Sequence, residues 1–363
     1  MTIQGGPTKT DAGANEWAID DDVMRLREWG TDIIRMLPAP PTNEWTMGAS
    51  DSCTVQLDDP DRRVSRLHAR LVRDQARWLL RDLGSKNGMR LDGARRREIV
   101  LEPCVEIGIG SLTLIAESSR SVALRSFLAR IIGWRSDRIE AVDHALRSIR
   151  MAATHRLALV LCGDGDLVPL ALSIHRHALG PDRPFVVCDP RRRDAKATVR
   201  SAENHKTGLA AFEAAAGGSL CIRSQRLPLD WVAAGVALRT PASQVQLMMC
   251  TDDPEYDRSV LALPITVPPL ADRADEIDRI ITEYAEDAIA QLGTLRTSFV
   301  AADREWVRTH SSASLPDIEK ATLRLVALRE SRNLTAAAGR LGMAPVSLSH
   351  WVGRRKLPMQ VER

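Results

Sequence analysis

The chain has 363 residues, 44% of them apolar and 27% charged, with a formal net charge of +3. Those proportions fit folded globular units and leave room for two or three domains. No apolar run approaches the length that crosses a bilayer, and the first residues lack an apolar signal core, so a cytoplasmic protein without membrane contact is expected. The six cysteines (Cys53, Cys104, Cys162, Cys188, Cys221 and Cys250) form no CxxC pair and no zinc-ligand spacing, so they read as reduced core residues and no metal is expected.

In chain order, residues 1–16 read as a flexible tail. Residues 17–117 then hold short strands between turns: Val23 to Trp29, Asp32 to Leu37, Trp45 to Met47, Thr54 to Leu57, Ala69 to Val72, Trp78 to Arg81, Met89 to Leu91, Val105 to Ile107 and Leu112 to Ile115. Many short strands at such spacing predict an all-β sandwich. After the polar stretch 117–121 the period changes. A helix over 136–153, a strand from Leu157 to Leu161, a helix over 166–178 and strands at Phe185 to Cys188, Ser219 to Ile222 and Gln244 to Met249 predict an α/β domain over 118–290 with a mostly parallel sheet. A linker is expected over 291–313. A small all-α domain follows over 314–358, opening on Ser314-Leu-Pro-Asp317 as a helix start.

The β-rich segment carries Val64-Ser-Arg-Leu-His68 and Asp82-Leu-Gly-Ser-Lys-Asn-Gly88, followed by Leu91-Asp-Gly93 and Glu106-Ile-Gly108. In combination and order these motifs resemble the forkhead-associated (FHA) domain, a sandwich whose end loops bind phosphothreonine peptides. A phosphate dianion needs hydroxyl, amide and cationic donors fixed on loops of a rigid scaffold. The resemblance implies that Ser65 donates to the phosphate, that Arg66 flanks it, that Asn87 holds the peptide backbone and that His68 braces the loop. Gly48 matches the family's Gly-Arg turn, but Ala49 stands in the place of its arginine, and Lys86 replaces a threonine that would precede Asn87.

Several phrases of the middle segment resemble the AAA+ domain of enhancer-binding activators that serve the sigma-54 form of bacterial RNA polymerase. They are Ile131-Ile-Gly133, Ile174-His-Arg-His177 before Pro184-Phe-Val186, Gly217-Gly-Ser-Leu220 before Leu227-Pro-Leu-Asp230, and Pro268-Pro-Leu270 with Arg273 and Glu276-Ile277. A phosphate-binding loop works through glycine amides, a lysine ammonium and a magnesium-holding hydroxyl. Here Leu161-Cys-Gly-Asp-Gly-Asp-Leu-Val168 has no lysine and offers Asp164 and Asp166 instead. Arg223 and Ser224 follow Ile222 where the magnesium-binding acids would stand, and Asp252 takes the place of the sensor asparagine. No counterpart of the GAFTGA loop lies between Cys188 and Gly217. An ATPase-dead core without a cofactor is therefore expected, and no enzyme. His175 and His177, and the run Arg191-Arg-Arg193, have bland readings as packing and solvated loop.

Basic residues dominate the last segment, from Lys320 to Arg363, against only Glu330 and Glu362. Helices are predicted over 316–330, from Thr335 to Leu341 with Gly342 as stop, and from Pro345 to about Arg355. Asn333-Leu-Thr-Ala-Ala-Ala-Gly-Arg-Leu-Gly-Met343 and Val346-Ser-Leu-Ser-His-Trp351 resemble the Fis-type helix-turn-helix that ends the same activator family. In such a motif the third helix enters the major groove. Ser347, His350 and Arg354 are then the base-edge candidates, with Thr335, Arg355 and Lys356 on the phosphates and Leu348, Trp351 and Val352 as the packing seam. The expectation is a DNA-binding transcriptional regulator that binds double-stranded DNA as a homodimer or higher homo-oligomer, with a phosphothreonine protein as second partner. A protein-binding adaptor without DNA-binding role stays open as the alternative.

Overall fold

In the computed structural model the described residues are 21–37, 44–74, 77–198, 201–253, 264–295, 298–355 and 357. The tail expected over 1–16 lies outside them, as does Lys356. The chain divides into two compact units. The first takes in residues up to Ala129, Arg135–His155 and Arg176–Pro181; the second holds Arg130–Trp134, Arg156–His175 and everything from Asp182 onward.

In the first unit, β1 (Val23–Glu28), β2 (Ile34–Met36), β7 (Met89–Leu91), β8 (Ala94–Arg96), β10 (Glu106–Ile109) and β11 (Leu112–Ser118) form a six-stranded sheet in the order β2-β1-β11-β10-β7-β8. A five-stranded sheet runs β4-β3-β5-β6-β9, from β3 (Glu44–Gly48), β4 (Val55–Gln56), β5 (Ala69–Asp74), β6 (Arg77–Asp82) and β9 (Glu98–Val100). Alternate residues of both sheets meet in one core, with Leu26, Met47, Leu71, Leu80, Met89, Ile107, Ile109 and Leu114 fully enclosed. That is the packing the period-2 pattern demands.

Two helices continue this unit, α1 (Ser119–Ile132) and α2 (Ile139–His155). The expected helix over 136–153 corresponds to a short 3-10 turn at Ser136–Arg138 and then α2. Helix α1 was not expected; its last turn, with Ile131 and Ile132, belongs to the second unit. A buried ion cluster ties α2 to the sheet. Arg27, wholly enclosed, donates through Nε to Glu117 at 2.7 Å and through its terminal nitrogens to Asp143 at 2.5 and 3.0 Å. Burial alone would lower the Arg27 pKa, but these two carboxylates hold it above its ordinary value.

The second unit is built on a wholly parallel sheet in the order β14-β13-β15-β16-β12-β17. Its strands are β12 (Leu159–Cys162), β13 (Phe185–Cys188), β14 (Glu203–His205), β15 (Ser219–Arg223), β16 (Gln246–Thr251) and β17 (Ile265–Thr266). β12 and β13 are buried along their whole length, as strands covered on both faces must be. Helices α3 (Val168–Leu179), α4 (Gly208–Ala214) and α5 (Trp231–Leu238) connect them, and α6 (Ile277–Leu292) follows. A side chain at Gly218 would collide with the Pro184 carbonyl, so glycine is required where the chain enters β15 beside the start of β13.

The expected linker contains a helix instead, α7 (Ala301–His310), which buries Asp303, Trp306 and Val307. It packs against α8 (Leu315–Arg329), where Arg329 donates to the enclosed Asp303 at 2.9 Å. Helices α9 (Leu334–Arg340) and α10 (Pro345–Gly353) complete the chain's helical end, and α8 also packs on α6. No helix among the described residues is long and apolar enough to cross a membrane.

Candidate functional sites

At one end of the sandwich, loops 48–50, 59–68 and 82–88 are stitched together by backbone hydrogen bonds. Ala49 N–H donates to Ser65 O and Ser50 N–H to Arg66 O, both at 3.0 Å. Gly48 makes that approach possible, since a Cβ there would strike the Arg66 carbonyl. The Ser65 hydroxyl oxygen accepts the Lys86 N–H at 3.1 Å, and Asn87 donates through its amide to Arg63 O at 2.7 Å. Ser65, Arg66, Lys86 and Asn87 therefore share one loop cluster, with Arg66 and Lys86 exposed. The Ser65 hydroxyl thus accepts from the backbone of the facing loop, while the Asn87 amide is engaged with its own chain. Ala49 is exposed and brings no cation.

Buried groups hold those loops. His68 is fully enclosed, accepts the Ser65 N–H on Nδ1 at 3.1 Å and meets Gly88 O with Nε2 at 3.3 Å. Burial pushes its pKa down, so the neutral ring braces the loops, the role the resemblance gave it. Asp59 was not singled out in the sequence, although Asp59-Pro-Asp61 is turn chemistry. Its carboxylate accepts the N–H groups of Asp61, Arg63 and Val64 at 3.2, 2.7 and 2.8 Å, and the Ser111 hydroxyl. Burial alone would raise its pKa, yet these donors hold it below the usual carboxylate value.

In the second unit, the carboxyl ends of the parallel strands are where such sheets place ligands. That edge is closed by ion pairs. Arg223, at the end of β15, donates to Asp166 at 2.6 Å and to Asp189 at 3.2 Å, and Arg226 reaches Asp189 at 2.9 Å. The two departures read separately from the sequence, an acid in loop 163–167 and a base at the end of β15, are partners. Burial would raise the Asp166 pKa, but the adjacent Arg223 guanidinium holds it low. Between Cys188 and Gly217 the described residues form β14 and α4.

The histidines of α3 make hydrogen bonds and ring contacts. His175 is buried, with Nδ1 2.8 Å from Ser219 Oγ and Nε2 3.1 Å from Arg183 O, and the His177 ring lies against Phe127. Among the described residues no cluster of His, Cys, Asp and Glu has the makings of a metal site. The cysteines are all buried and unbridged.

Asn333 caps α9 by accepting the Ala336 N–H at 2.8 Å, and Gly342 takes a left-handed φ of 60° that turns the chain toward α10. On α10, Leu348 and Trp351 are buried, whereas Ser347, His350 and Arg354 are exposed, as is Thr335 on α9. Arg355 departs from the picture of a fully solvated phosphate contact. It is half-buried, with its guanidinium carbon 5.1 Å from the centre of the Trp351 ring. Lys356 lies outside the described residues.

The FHA domain family model matches residues 45–110, and an FHA domain is present there. No curated protein matches the chain. Similar solved structures include an FHA domain described for phosphothreonine-dependent interactions, 26% identical, covering 26% of this chain and 96% of that one at a TM-score of 0.24. Another is the FHA domain of the CT664 protein from Chlamydia trachomatis, 20% identical, with 27% and 98% covered and a TM-score of 0.24. A third is EmbR of Mycobacterium tuberculosis in complex with a low-affinity phosphopeptide, 22% identical, with 29% and 28% covered and a TM-score of 0.24.

Proposed function

We propose that this chain is a DNA-binding transcriptional regulator, in which the FHA domain takes up a phosphothreonine protein, the parallel-sheet core is catalytically silent, and the helical end contacts duplex DNA. The observation that carries the reading is the division of α10. Leu348 and Trp351 anchor it inward while Ser347, His350 and Arg354 face solvent on a helix begun by Pro345. That is the arrangement a groove-reading helix needs. One such helix makes few contacts, so the working form is a homodimer on half-sites about one helical turn apart.

A mobility-shift titration of the full chain and of a chain lacking 314–363 tests this. Duplex affinity should fall steeply with salt and vanish with the truncation. Arg354→Ala or His350→Ala should cost about 1–3 kcal/mol at particular base pairs and little elsewhere. Unchanged affinity and specificity in the truncated chain would replace the regulator by a protein-binding adaptor.

The FHA domain's part rests on the Ser65 hydroxyl, whose oxygen is fixed by the Lys86 N–H and whose proton is left for phosphate. Ser65→Ala should weaken a phosphothreonine peptide by about 1.5–3 kcal/mol, the worth of a hydrogen bond to a charged group. Equal binding of phosphorylated and unphosphorylated peptide would remove this role.

The silent core is supported by the Asp166–Arg223–Asp189 pairs, in which the charged groups at this end of the sheet are engaged with one another. Calorimetry with Mg-ATP at millimolar concentration should give no binding heat, and micromolar affinity would overturn the assignment.

A further inference from the structure

Beside loop 82–88 the sandwich carries a feature that the phosphate site does not use. Arg95, Arg96 and Arg97 follow one another along β8 and its exit, all exposed. With Asp82, Gly84 and Ser85 they line an open cavity of about 740 Å³. Its floor is therefore the same loop that carries Lys86 and Asn87.

Two observations give this patch a direction. The Arg95 guanidinium lies over Gly88, in the space a side chain there would fill, so the cationic strip is continuous with the recognition loop. The carboxylates nearby are also committed elsewhere. Asp82 accepts the Ser85 hydroxyl and N–H, Glu98 pairs with Arg81 at 2.8 Å, and Asp92 pairs with Arg150. Among the described residues no ion pair joins Arg95, Arg96 or Arg97 to an acid. Like charges on three consecutive residues repel one another, and an anionic partner would relieve that repulsion.

We propose that Arg95, Arg96 and Arg97 form a second cationic arm of the phosphopeptide site and select phosphothreonine flanked by acidic side chains. This rests on the phosphopeptide reading above. The arm also bears on Ala49. Ala49 brings no cation to the loops, whereas the Arg95 guanidinium brings one to loop 82–88 at Gly88. Guanidiniums pair with carboxylates through two parallel hydrogen bonds, so flanking glutamates are recognised individually as well as through net charge. The cavity's continuity with loop 82–88 favours this ligand over a nucleic-acid backbone, which would track a longer, unconcave strip.

Fluorescence anisotropy with the full chain separates the possibilities. Two labelled peptides share a central phosphothreonine and differ only in flanking Glu or Gln. The Glu peptide should bind about tenfold tighter or better at low salt, the scale of one or two added charge-assisted contacts. Arg95→Gln, Arg96→Gln and Arg97→Gln combined should erase that preference, weakening the Glu peptide about tenfold more than the Gln peptide. Because Arg95 touches Gly88, a second variant carries only Arg96→Glu and Arg97→Glu. It should invert the preference toward a Lys-flanked phosphothreonine peptide, which a damaged fold cannot do. Equal affinity for both peptides with full dependence on Ser65 overturns this inference alone. Binding insensitive to phosphate and to Ser65→Ala overturns the phosphopeptide reading and this inference with it. Loss of duplex DNA affinity in the arginine variants, with peptide preference intact, assigns the patch to nucleic acid instead.

Discussion

Arg27→Ala should destabilise the first unit by about 3–5 kcal/mol, the cost of leaving buried carboxylates without their cation. Arg27 and Asp143 are fully enclosed and Glu117 nearly so. After the substitution Glu117 keeps Arg25 at 2.7 Å, but Asp143 keeps only Arg125 at 3.6 Å and the Gly30 N–H at 2.9 Å. Hydrogen exchange of the β1 and β11 amides should rise by the corresponding factor, because those strands share the cluster. Arg27→Met combined with Asp143→Leu should be less destabilised than Arg27→Ala alone, since it removes both charges and refills the volume. A change below about 1 kcal/mol for Arg27→Ala would mean that the cluster does not hold α2 to the sheet.

Trp351→Ala should have a comparable effect at the other end of the chain, about 3–5 kcal/mol for a large aromatic removed from a packed position. The indole is 8% exposed, meets Trp306 of α7 edge-on at 5.7 Å between centroids, and lies under Arg324 at 4.9 Å and Arg355 at 5.1 Å. Its loss unseats α10 from α7 and α8 together. Exchange protection of α9 and α10 should collapse, and duplex binding in a mobility shift should be lost at every sequence. His350→Ala is the control, since an exposed side chain should alter base preference and leave protection in place. Protection unchanged by Trp351→Ala would show that α10 is held by other contacts.

Much of the sandwich was legible because alternation leaves a period-2 trace wherever one strand face is buried, as in Ala69 and Leu71 of β5 or Ile107 and Ile109 of β10. Strand β8, Ala94–Arg96, was missed because all of its residues are exposed, which leaves no alternation to read. Helix α1 was hidden by its polar opening, Ser119-Arg-Ser121, although Leu124, Leu128 and Ile131 follow at helical spacing. Helix α7, inside the expected linker, is rich in charged residues. One of them, Asp303, is buried against Arg329, a pairing that only a neighbouring helix makes tolerable.

By itself the sequence determined the loop motifs of the FHA domain, the parallel-sheet pattern and the caps and stops of the last helices, because each is set by residues a few positions apart. Tertiary structure alone decided what the charged groups do. Arg27 with Asp143 and Arg223 with Asp166 join segments far apart in the chain, and even the nearby Arg95 strip meets loop 82–88 only through the fold of the hairpin between them. A charge reads the same in sequence whether solvated, paired or poised for a ligand, and burial and the distance to an opposite charge distinguish these states.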